Sequence, residues 1–293
     1  RSSNNSGSGY MGSTSSIGSL YLSSKKIYFW NGNRGGKRIM IRTFEHEKIL
    51  AQSLAVEILK ELRKKKNLVL GCPGGRSLKK TYYYLGKISH DLNISLNNLT
   101  IVMMDEYVHK KNGKYKLANP DAHFSCVRFS KQTIKKLLNY KKNNLNSLKD
   151  KNIFFPTIDS PGAYDLLIKK IGGIDIFLLA SGSSDGHVAF NNYYSKLNQR
   201  THITKLSSKT RYDNMKTFPD FNNLSEVPKY GLTVGLKTIS SLSKRVILVL
   251  TGKEKKLAFK TLTNLNKFDT SWPASIVFKC RNYKIYIDEI VKS

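Results

Sequence analysis

IDIFLLASGSSDGHVAFNN, residues 174–192, is the stretch that decides the fold. Its apolar start, residues 174–179, predicts a buried strand of a parallel sheet. The small residues of 181–184 leave backbone N–H groups free to meet an anion. Because α/β proteins bind their ligands at the carboxyl ends of such strands, we expect a functional site in this loop.

Asp185 and His187 are the residues of this loop that suggest chemistry. Asp185 is placed to hold one ring nitrogen of His187 and to leave the other free to move a proton. The alternative interpretation is an Asx-turn next to a surface histidine. Both interpretations stay open on this motif alone.

Two further stretches have the same form, a strand that delivers polar residues. LVLGCPGGRS, residues 68–77, predicts a strand, a glycine turn and a helix start at which backbone could approach a phosphate. LTIVMMDEYV, residues 99–108, places two acids after an apolar strand. Paired carboxylates suggest general acid–base work, and a helix cap or a salt bridge is the alternative.

Strands alternate with helices over the rest of the chain. This order predicts an α/β fold with a doubly wound, mostly parallel sheet and helices on both faces. Apolar residues at helical spacing predict helices at 45–66, 160–171 and 253–265. Other expectations are strands at 37–42, 233–236, 245–250, 275–278 and 284–287, a loop at 109–114, a helix from 119–123 and a solvated helix plus loop at 132–148.

Residues 1–36 differ in composition from the remainder. They are rich in Ser, Gly and Asn and contain neither Asp nor Glu. We expect a flexible basic extension, similar to the remainder of an organellar transit segment or to an expression scar. An apolar run at 27–30 is able to dock on the domain or on a partner. The domain proper is predicted to span 37–293.

The charge of the chain is unusual for a protein with an anionic substrate. Lys and Arg number 50 against 20 acids, which gives a net charge of +30. Such an excess indicates RNA or another polyanion as a partner, and a compositional bias toward lysine and asparagine is the alternative. The best candidate surface, if not merely a solvated face, consists of Lys135, Lys136, Lys141, Lys142, Lys149 and Lys151.

The cysteine content and the hydropathy of the chain limit the cellular compartments in which we expect the protein. Cys72, Cys126 and Cys280 lack the spacing of a metal site or a disulfide framework, so buried thiols in a reducing compartment are expected. No apolar run approaches the roughly 18 residues that cross a bilayer. We therefore expect no membrane span and a cytoplasmic or organellar location rather than secretion.

Taken together, the motifs resemble the glucosamine-6-phosphate deaminase/isomerase family, which shares a superfamily with 6-phosphogluconolactonase. The resemblance is carried by the glycine turn at 73–77, MDEYV at 104–108, DGHVAFN at 185–191 and VPKYGLTVG at 227–235. It runs from about residue 37 to about residue 289. MDEYV, DGHVAFN and VPKYGLTVG favour the deaminase branch.

The resemblance implies a role for each matching residue. Asp105 would move a proton between the first two sugar carbons, His187 would help to open the sugar ring, and Asp185 would orient His187. The residues it assigns to the substrate phosphate are Gly74, Gly75, Arg76, Lys216 and Lys255. The implied reaction converts glucosamine 6-phosphate to fructose 6-phosphate and ammonia with no metal and no organic cofactor.

The chain also departs from the family pattern. Asn192 stands where the family has a glutamate, so this catalytic position is degenerate, and an amide cannot relay a proton. Pro73 replaces a threonine, and Lys216 replaces an arginine with its bidentate fork. His202 and Thr204 replace the basic pair that binds an activator, so we expect no activation by amino sugars.

Three functions therefore stay open: a deaminase/isomerase, a 6-phosphogluconolactonase, and a non-catalytic relative. The last would be a structural or RNA-binding part of a basic assembly such as an organellar ribonucleoprotein. A homo-oligomer is also left open.

Overall fold

The structure of the chain is a computed structural model that describes residues 29–30 and 39–293. The strands in this part of the chain are β1 (Phe29–Trp30), β2 (Ile39–Phe44), β3 (Leu68–Cys72), β4 (Leu99–Met103), β5 (Asp105–Lys111), β6 (Lys114–Leu117), β7 (Ile153–Phe154), β8 (Ile176–Ala180), β9 (His202–Lys205), β10 (Tyr230–Thr233), β11 (Val246–Leu250) and β12 (Tyr283–Asp288).

The α-helices are α1 (Glu47–Lys64), α2 (Lys79–Asp91), α3 (Cys126–Phe129), α4 (Lys136–Leu138), α5 (Pro161–Lys170), α6 (Ser208–Thr217), α7 (Leu236–Leu242) and α8 (Lys256–Leu265). A π-helical segment, Ser130–Lys135, joins α3 to α4. Short 3₁₀ segments are Arg76–Leu78, Asp150–Asn152, Leu224–Glu226, Lys253–Lys255, Pro273–Lys279 and Glu289–Val291.

The main sheet has the order β1-β2-β12-β11-β8-β3-β4-β7. Its strands are parallel, except that β1 runs antiparallel to β2 at the edge. Successive residues of β3 point to opposite faces, so Leu70 joins one core and Val69 joins the other.

Helices cover both faces of this sheet. Helices α1 and α2 pack on one face with side chains such as Leu54 and Leu85. Helices α5, α7 and α8 pack on the other with side chains such as Ile168, Ile239 and Leu262. The doubly wound α/β fold predicted from the sequence is confirmed.

The order of the strands creates a switch point between β3 and β8. From β3 the chain adds β4 and β7 on one side, whereas from β8 it adds β11 and β12 on the other. Because the loops that leave β3 and β8 turn to opposite faces at such a point, they leave a crevice above the sheet. The two sequence motifs at 73–77 and 180–192 border this crevice.

A second, antiparallel sheet with the order β6-β5-β10-β9 lies beside the first, and the sequence did not reveal it. Residues 109–114, expected as a loop, form the hairpin between β5 and β6. The strand expected at 233–236 is β10, which ends at Thr233, and α7 begins three residues later. The outer half of this sheet is rich in lysine, so its strands lack the apolar alternation that identifies a strand.

Two more expectations were wrong. Residues 275–278 lie in the 3₁₀ segment Pro273–Lys279, whose apolar side chains are buried. Apolar periodicity alone does not distinguish such a short buried turn from a strand. The helix expected from 119–123 begins at Cys126, where the Ser125 hydroxyl accepts the N–H of Arg128 as an N-cap.

Most of the predicted extension 1–36 lies outside the described residues. Its described part is β1, which pairs with β2. The segment at 132–148 is helical to Leu138 and buries Ile134 and Leu138, so it is not simply solvated. None of the helices in the described ranges is long and apolar enough to cross a membrane.

Candidate active site

A cleft of about 730 Å³ opens above the switch point. Four neighbouring strands, β3, β4, β8 and β11, send their carboxyl-terminal loops to it. These loops contribute Gly74, Asp105, Ser183 and Lys255 to the lining. The carboxyl ends of parallel strands thus bring together residues that are far apart in the sequence.

Asp185 and His187 form a hydrogen-bonded pair, and His187 lines this cleft. The Nδ1 atom of His187 lies 2.7 Å from Oδ1 of Asp185, and the other carboxylate oxygen accepts hydroxyl hydrogen bonds from Ser207 and Thr210. Burial opposes ionisation of Asp185, but the hydrogen bond and charge of His187 and the Thr210 hydroxyl hold its pKa below the usual range. The carboxylate therefore fixes the imidazole orientation.

Gly182 makes room for this pair. A Cβ atom at residue 182 would lie 2.2 Å from Nδ1 of His187 and 2.6 Å from Oδ1 of Asp185. Gly186 has a φ of +65°, and a Cβ there would meet the indole ring of Trp272. These two glycines are required by close packing around the pair.

Asp105 lies at the junction of the two sheets, where β4 ends and β5 begins. Its side chain is buried, with 5% of the residue exposed, and lines the cleft. Burial raises the pKa of Asp105 to about 7, the charge of Glu106 adds to the rise, and the Cys126 thiol and His187 oppose it. A carboxyl group that titrates near neutral pH is able both to take up and to release a proton.

Glu106, the second acid of the pair, does not line the cleft. Its carboxylate accepts the backbone N–H groups of Cys126 and Val127 at 3.0 and 2.9 Å and the Ser125 hydroxyl at 2.8 Å. It also accepts the N–H of Tyr107 at 2.7 Å. Glu106 therefore caps the helix that starts at Cys126, so the helix-cap interpretation applies to Glu106.

The glycine turn after β3 also lines the cleft. Gly75 has a φ of +135°, which favours glycine, and Gly74 passes close to Asp105 and to the Cys126 thiol. Arg76 also lines the cleft, and its guanidinium donates to the Glu254 carboxylate at 2.7 Å. The predicted phosphate residues of this turn are thus together at the cleft.

Lys255 approaches from the loop after β11. It is 7% exposed, and its ammonium donates to the Ser181 carbonyl at 2.7 Å and to the Ser183 hydroxyl at 3.1 Å. Burial lowers the pKa of Lys255, while the nearby carboxylates of Glu254 and Asp213 oppose this. A buried cation at the edge of the cleft is suited to a phosphate ligand.

Two predicted site residues do not reach the cleft. Lys216 is exposed on α6, with its ammonium 5.1 Å from the ring centre of Tyr212. Asn192 is buried, and its amide donates to the Lys205 carbonyl at 2.8 Å and accepts the Tyr194 N–H at 3.0 Å. Asn192 therefore holds the chain after the DGH loop instead of facing His187.

Several cleft residues were not found from the sequence. Asp213, Asn214 and Thr217, all on α6, line the cleft. The Asp213 carboxylate accepts N–H groups from Ser183 and Ser184. Nothing in the local sequence of α6 indicates which loop this helix meets.

One group of side chains has the spacing of a metal site. Donor atoms of Asp185, His187 and Asp213 lie within 4.8 Å of one another. The carboxylate of Asp185 is already engaged by His187, Ser207 and Thr210, and that of Asp213 by the loop N–H groups. Both carboxylates are therefore satisfied by the protein itself, so this group fits a metal ion poorly.

Comparison with known proteins gives one consistent result. Residues 45–287 match a protein family described as glucosamine-6-phosphate isomerases/6-phosphogluconolactonase. A glucosamine-6-phosphate deaminase of Bacillus velezensis is 30% identical over 257 residues, which covers 84% of this chain and 96% of that protein. A glucosamine-6-phosphate deaminase of Mycoplasma mycoides is 31% identical over 246 residues, which covers 84% of this chain and 93% of that protein.

Solved structures agree with these sequence matches. A monomeric glucosamine-6-phosphate deaminase superposes with a TM-score of 0.72 at 26% identity, covering 86% of this chain and 98% of that one. A 6-phosphogluconolactonase of Thermotoga maritima superposes with a TM-score of 0.60 at 17% identity, covering 85% and 98%. The lactonase similarity concerns the fold alone.

Proposed function

Since the chain belongs to the glucosamine-6-phosphate isomerase/6-phosphogluconolactonase family, we propose that it is an enzyme that converts glucosamine 6-phosphate to fructose 6-phosphate and ammonia. The observation that carries this proposal is Asp105, a buried carboxyl group in the cleft whose pKa is raised to about 7. An aldose–ketose isomerisation needs a group of this kind, because one residue removes a proton from C2 and delivers it to C1.

The first step is opening of the sugar ring. His187 lines the cleft, and its Nε2 atom has no hydrogen-bond partner within the described residues. In this proposal His187 passes a proton between the C1 hydroxyl and the ring oxygen, and Asp185 keeps the imidazole in the required tautomer. The open-chain aldehyde then lies next to Asp105.

The second step moves a proton and releases the amine. Asp105 takes the C2 proton and returns it to C1, while a proton passes from the C2 amine to the C1 oxygen, which leaves an imine at C2 and a hydroxyl at C1. Water adds to that carbon, the C–N bond breaks, and ammonia leaves as the C2 ketone forms. The phosphate at C6 is held by the turn at 74–76 and by the Lys255 ammonium, which fixes the distance from C6 to the reacting carbons.

The test is a comparison of substrates on one enzyme preparation. Glucosamine 6-phosphate should give fructose 6-phosphate and ammonia in equal amounts, and 6-phosphogluconolactone should hydrolyse no faster than it does in buffer. Rapid lactone hydrolysis without ammonia release would assign the chain to the lactonase branch instead. A folded protein that acts on neither compound would favour the non-catalytic alternative.

A second candidate function rests on the antiparallel sheet. The lysine–tyrosine face consists of Lys110, Tyr115, Tyr230 and Lys205. Tyr115 pairs with Lys110 and Tyr230 pairs with Lys205, while Tyr230 lies opposite Val108, two residues from Lys110 on β5. The Lys110 ammonium lies 5.1 Å from the ring centre of Tyr115 and 5.9 Å from that of Tyr230. Tyr115 is exposed and Tyr230 is half-buried. Aromatic rings beside lysines favour single-stranded RNA, whose bases stack and whose phosphates pair with cations.

The lysine cluster that the sequence favoured is less available. Lys135 pairs with Asp150, Lys142 donates to the Ile94 carbonyl and Lys149 donates to the Asn144 carbonyl. We therefore propose the lysine–tyrosine face, not this lysine cluster, as the RNA-binding surface. We expect the affinity for oligouridine to fall steeply with salt, to be lost in Tyr115→Ala and to be kept in Lys136→Ala. Equal binding by both variants would contradict this assignment.

The proposed compartment is reducing, either the cytoplasm or an organelle matrix. The three cysteines are free and buried. Burial raises the pKa of the Cys72 and Cys280 thiols to about 12, so neither thiol is a ready nucleophile for disulfide exchange.

The sequence left a homo-oligomer open as an alternative to a monomer. Light scattering of the purified protein tests it.

A further inference from the structure

The loop after β8 binds a carboxylate of the protein itself, the side chain of Asp213. Oδ2 of Asp213 accepts the Ser183 N–H at 3.1 Å, the Ser184 N–H at 3.3 Å and the Ser184 hydroxyl at 3.1 Å. Three donors thus converge on one oxygen of a side chain that α6 brings from elsewhere in the chain. Consecutive N–H groups of this kind form an anion-binding concavity.

The surroundings of this carboxylate are those of a ligand site. Asp213 lines the cleft, and one of its oxygens lies within 4.8 Å of a donor atom of His187. The Lys255 ammonium donates to the Ser183 hydroxyl in the same loop. An external anion bound to the Ser183 and Ser184 N–H groups would therefore meet Lys255 as well.

We propose that Asp213 is a built-in competitor at this anion site, and that an oxyanion such as a phosphate group binds the loop only by displacing it. The proposal rests on the proposed function for the identity of the natural ligand, a sugar phosphate. It does not rest on that function for the displacement, which concerns any oxyanion. Asp213 thereby limits the affinity of the cleft for anions.

The contacts of Asp213 permit this displacement. Its carboxylate is held by neutral donors, and it makes no salt bridge within 4.0 Å in the part of the chain that the structure describes. The side chain is half-buried at the cleft wall, so it has a path toward solvent. An anion that takes its place gains the same three donors and the attraction of Lys255.

The experiment is a calorimetric titration with inorganic phosphate. We expect Asp213→Asn and Asp213→Ala to bind phosphate about tenfold more tightly than the parent, since each removes a negative charge from the position the ligand takes. Asp213→Ala also frees the loop N–H groups and should bind most tightly. The matched control is Asp220→Asn, which removes one charge from a carboxylate that is 72% exposed and lies outside the cleft lining.

The outcomes separate this proposal from the proposed function. Equal or weaker phosphate binding by the Asp213 variants overturns it, and so does an equal gain in Asp220→Asn, which would indicate a general charge effect. Absence of detectable binding by either Asp213 variant overturns it too. Turnover of glucosamine 6-phosphate is measured separately, so an inactive parent enzyme would refute the proposed function while the phosphate titration still decides the role of Asp213.

Discussion

Asp105, the proposed general base, is expected to reduce the stability of the fold when it is ionised. Burial and the Glu106 charge raise its pKa to about 7, against 3.8 for an unperturbed aspartate. A general base acts in its ionised form, so we expect kcat/KM for glucosamine 6-phosphate to rise with pH through about 7. A pH–rate profile checks this, and a rate that is independent of pH between about 6 and 8 would contradict it.

The same pKa predicts the pH dependence of stability. Between pH 4 and 7 the folded state keeps a proton on Asp105 that the unfolded state releases, so the free energy of unfolding falls as pH rises. Asp105→Asn should remove this fall and should stabilise the protein by about 2–4 kcal/mol at pH 8 relative to the parent. Urea unfolding at pH 5 and pH 8 measures it, and an identical pH dependence in parent and variant would show the prediction to be wrong.

Gly182 gives a second test at the level of single residues. A methyl group at this position would collide with His187 and Asp185, so Gly182→Ala should reduce kcat by about 10- to 100-fold and should lower the free energy of unfolding by about 1–3 kcal/mol. Gly162→Ala is the matched control, since a Cβ there meets nothing within 4 Å. If both variants turned over substrate at the parent rate, the Asp185–His187 pair would not be required.

How far the sequence could predict the site depends on distance along the chain. The contact between Asp185 and His187 was predictable because the residues are two positions apart at the end of a strand. The contact of Asp213 with Ser183 was not, because α6 reaches this loop only through the packing of the tertiary fold. Asn192 was identified as a departure from the family, but its backbone contacts required the structure.

Glu106 links two elements, strand β5 and the helix that begins at Cys126. Its carboxylate accepts four hydrogen bonds in a buried position. Glu106→Ala should lower the free energy of unfolding by about 2–4 kcal/mol, because it leaves buried N–H groups without acceptors. Chemical denaturation measures the loss, and Glu45→Ala, at an exposed position, is the control. A loss no greater than that of the control would show that the cap is dispensable.

Elements differed in how well the sequence predicted them. The parallel strands were predictable since β4, β8 and β11 are continuous apolar runs. The antiparallel sheet was missed because β6 carries lysines and a tyrosine in place of a buried face, and its pairing with β5 is set by a turn at residues 112–113. A strand with charged side chains is not recognised when only apolar periodicity is considered.

At the scale of the whole molecule, we propose that the extension is dispensable for catalysis. The residues that line the cleft fall between 73 and 255, and β1 is the first described element. A variant lacking residues 1–27 should keep kcat/KM within about twofold of the parent and the melting temperature within about 2 °C. A variant lacking 1–38 also loses β1 and should melt lower, because β2 loses its antiparallel neighbour. Loss of turnover on removal of 1–27 would contradict this prediction.

The net charge of +30 is a property of the whole surface, and it did not indicate where a polyanion would bind. The fold pairs some lysines with acids or carbonyls and sets others beside tyrosines, which supports the lysine–tyrosine face as the proposed polyanion surface. The proposed reaction belongs to the cleft, and the proposed partner belongs to this face.

The most direct test of the central claim is a time course of glucosamine 6-phosphate with the parent enzyme and with Asp105→Asn, followed by proton NMR and an ammonia assay. We expect the parent to form fructose 6-phosphate and ammonia in equal amounts, and Asp105→Asn, though folded, to be slower by at least about 100-fold. Equal rates in the two proteins, or no product from a folded parent, would contradict the account.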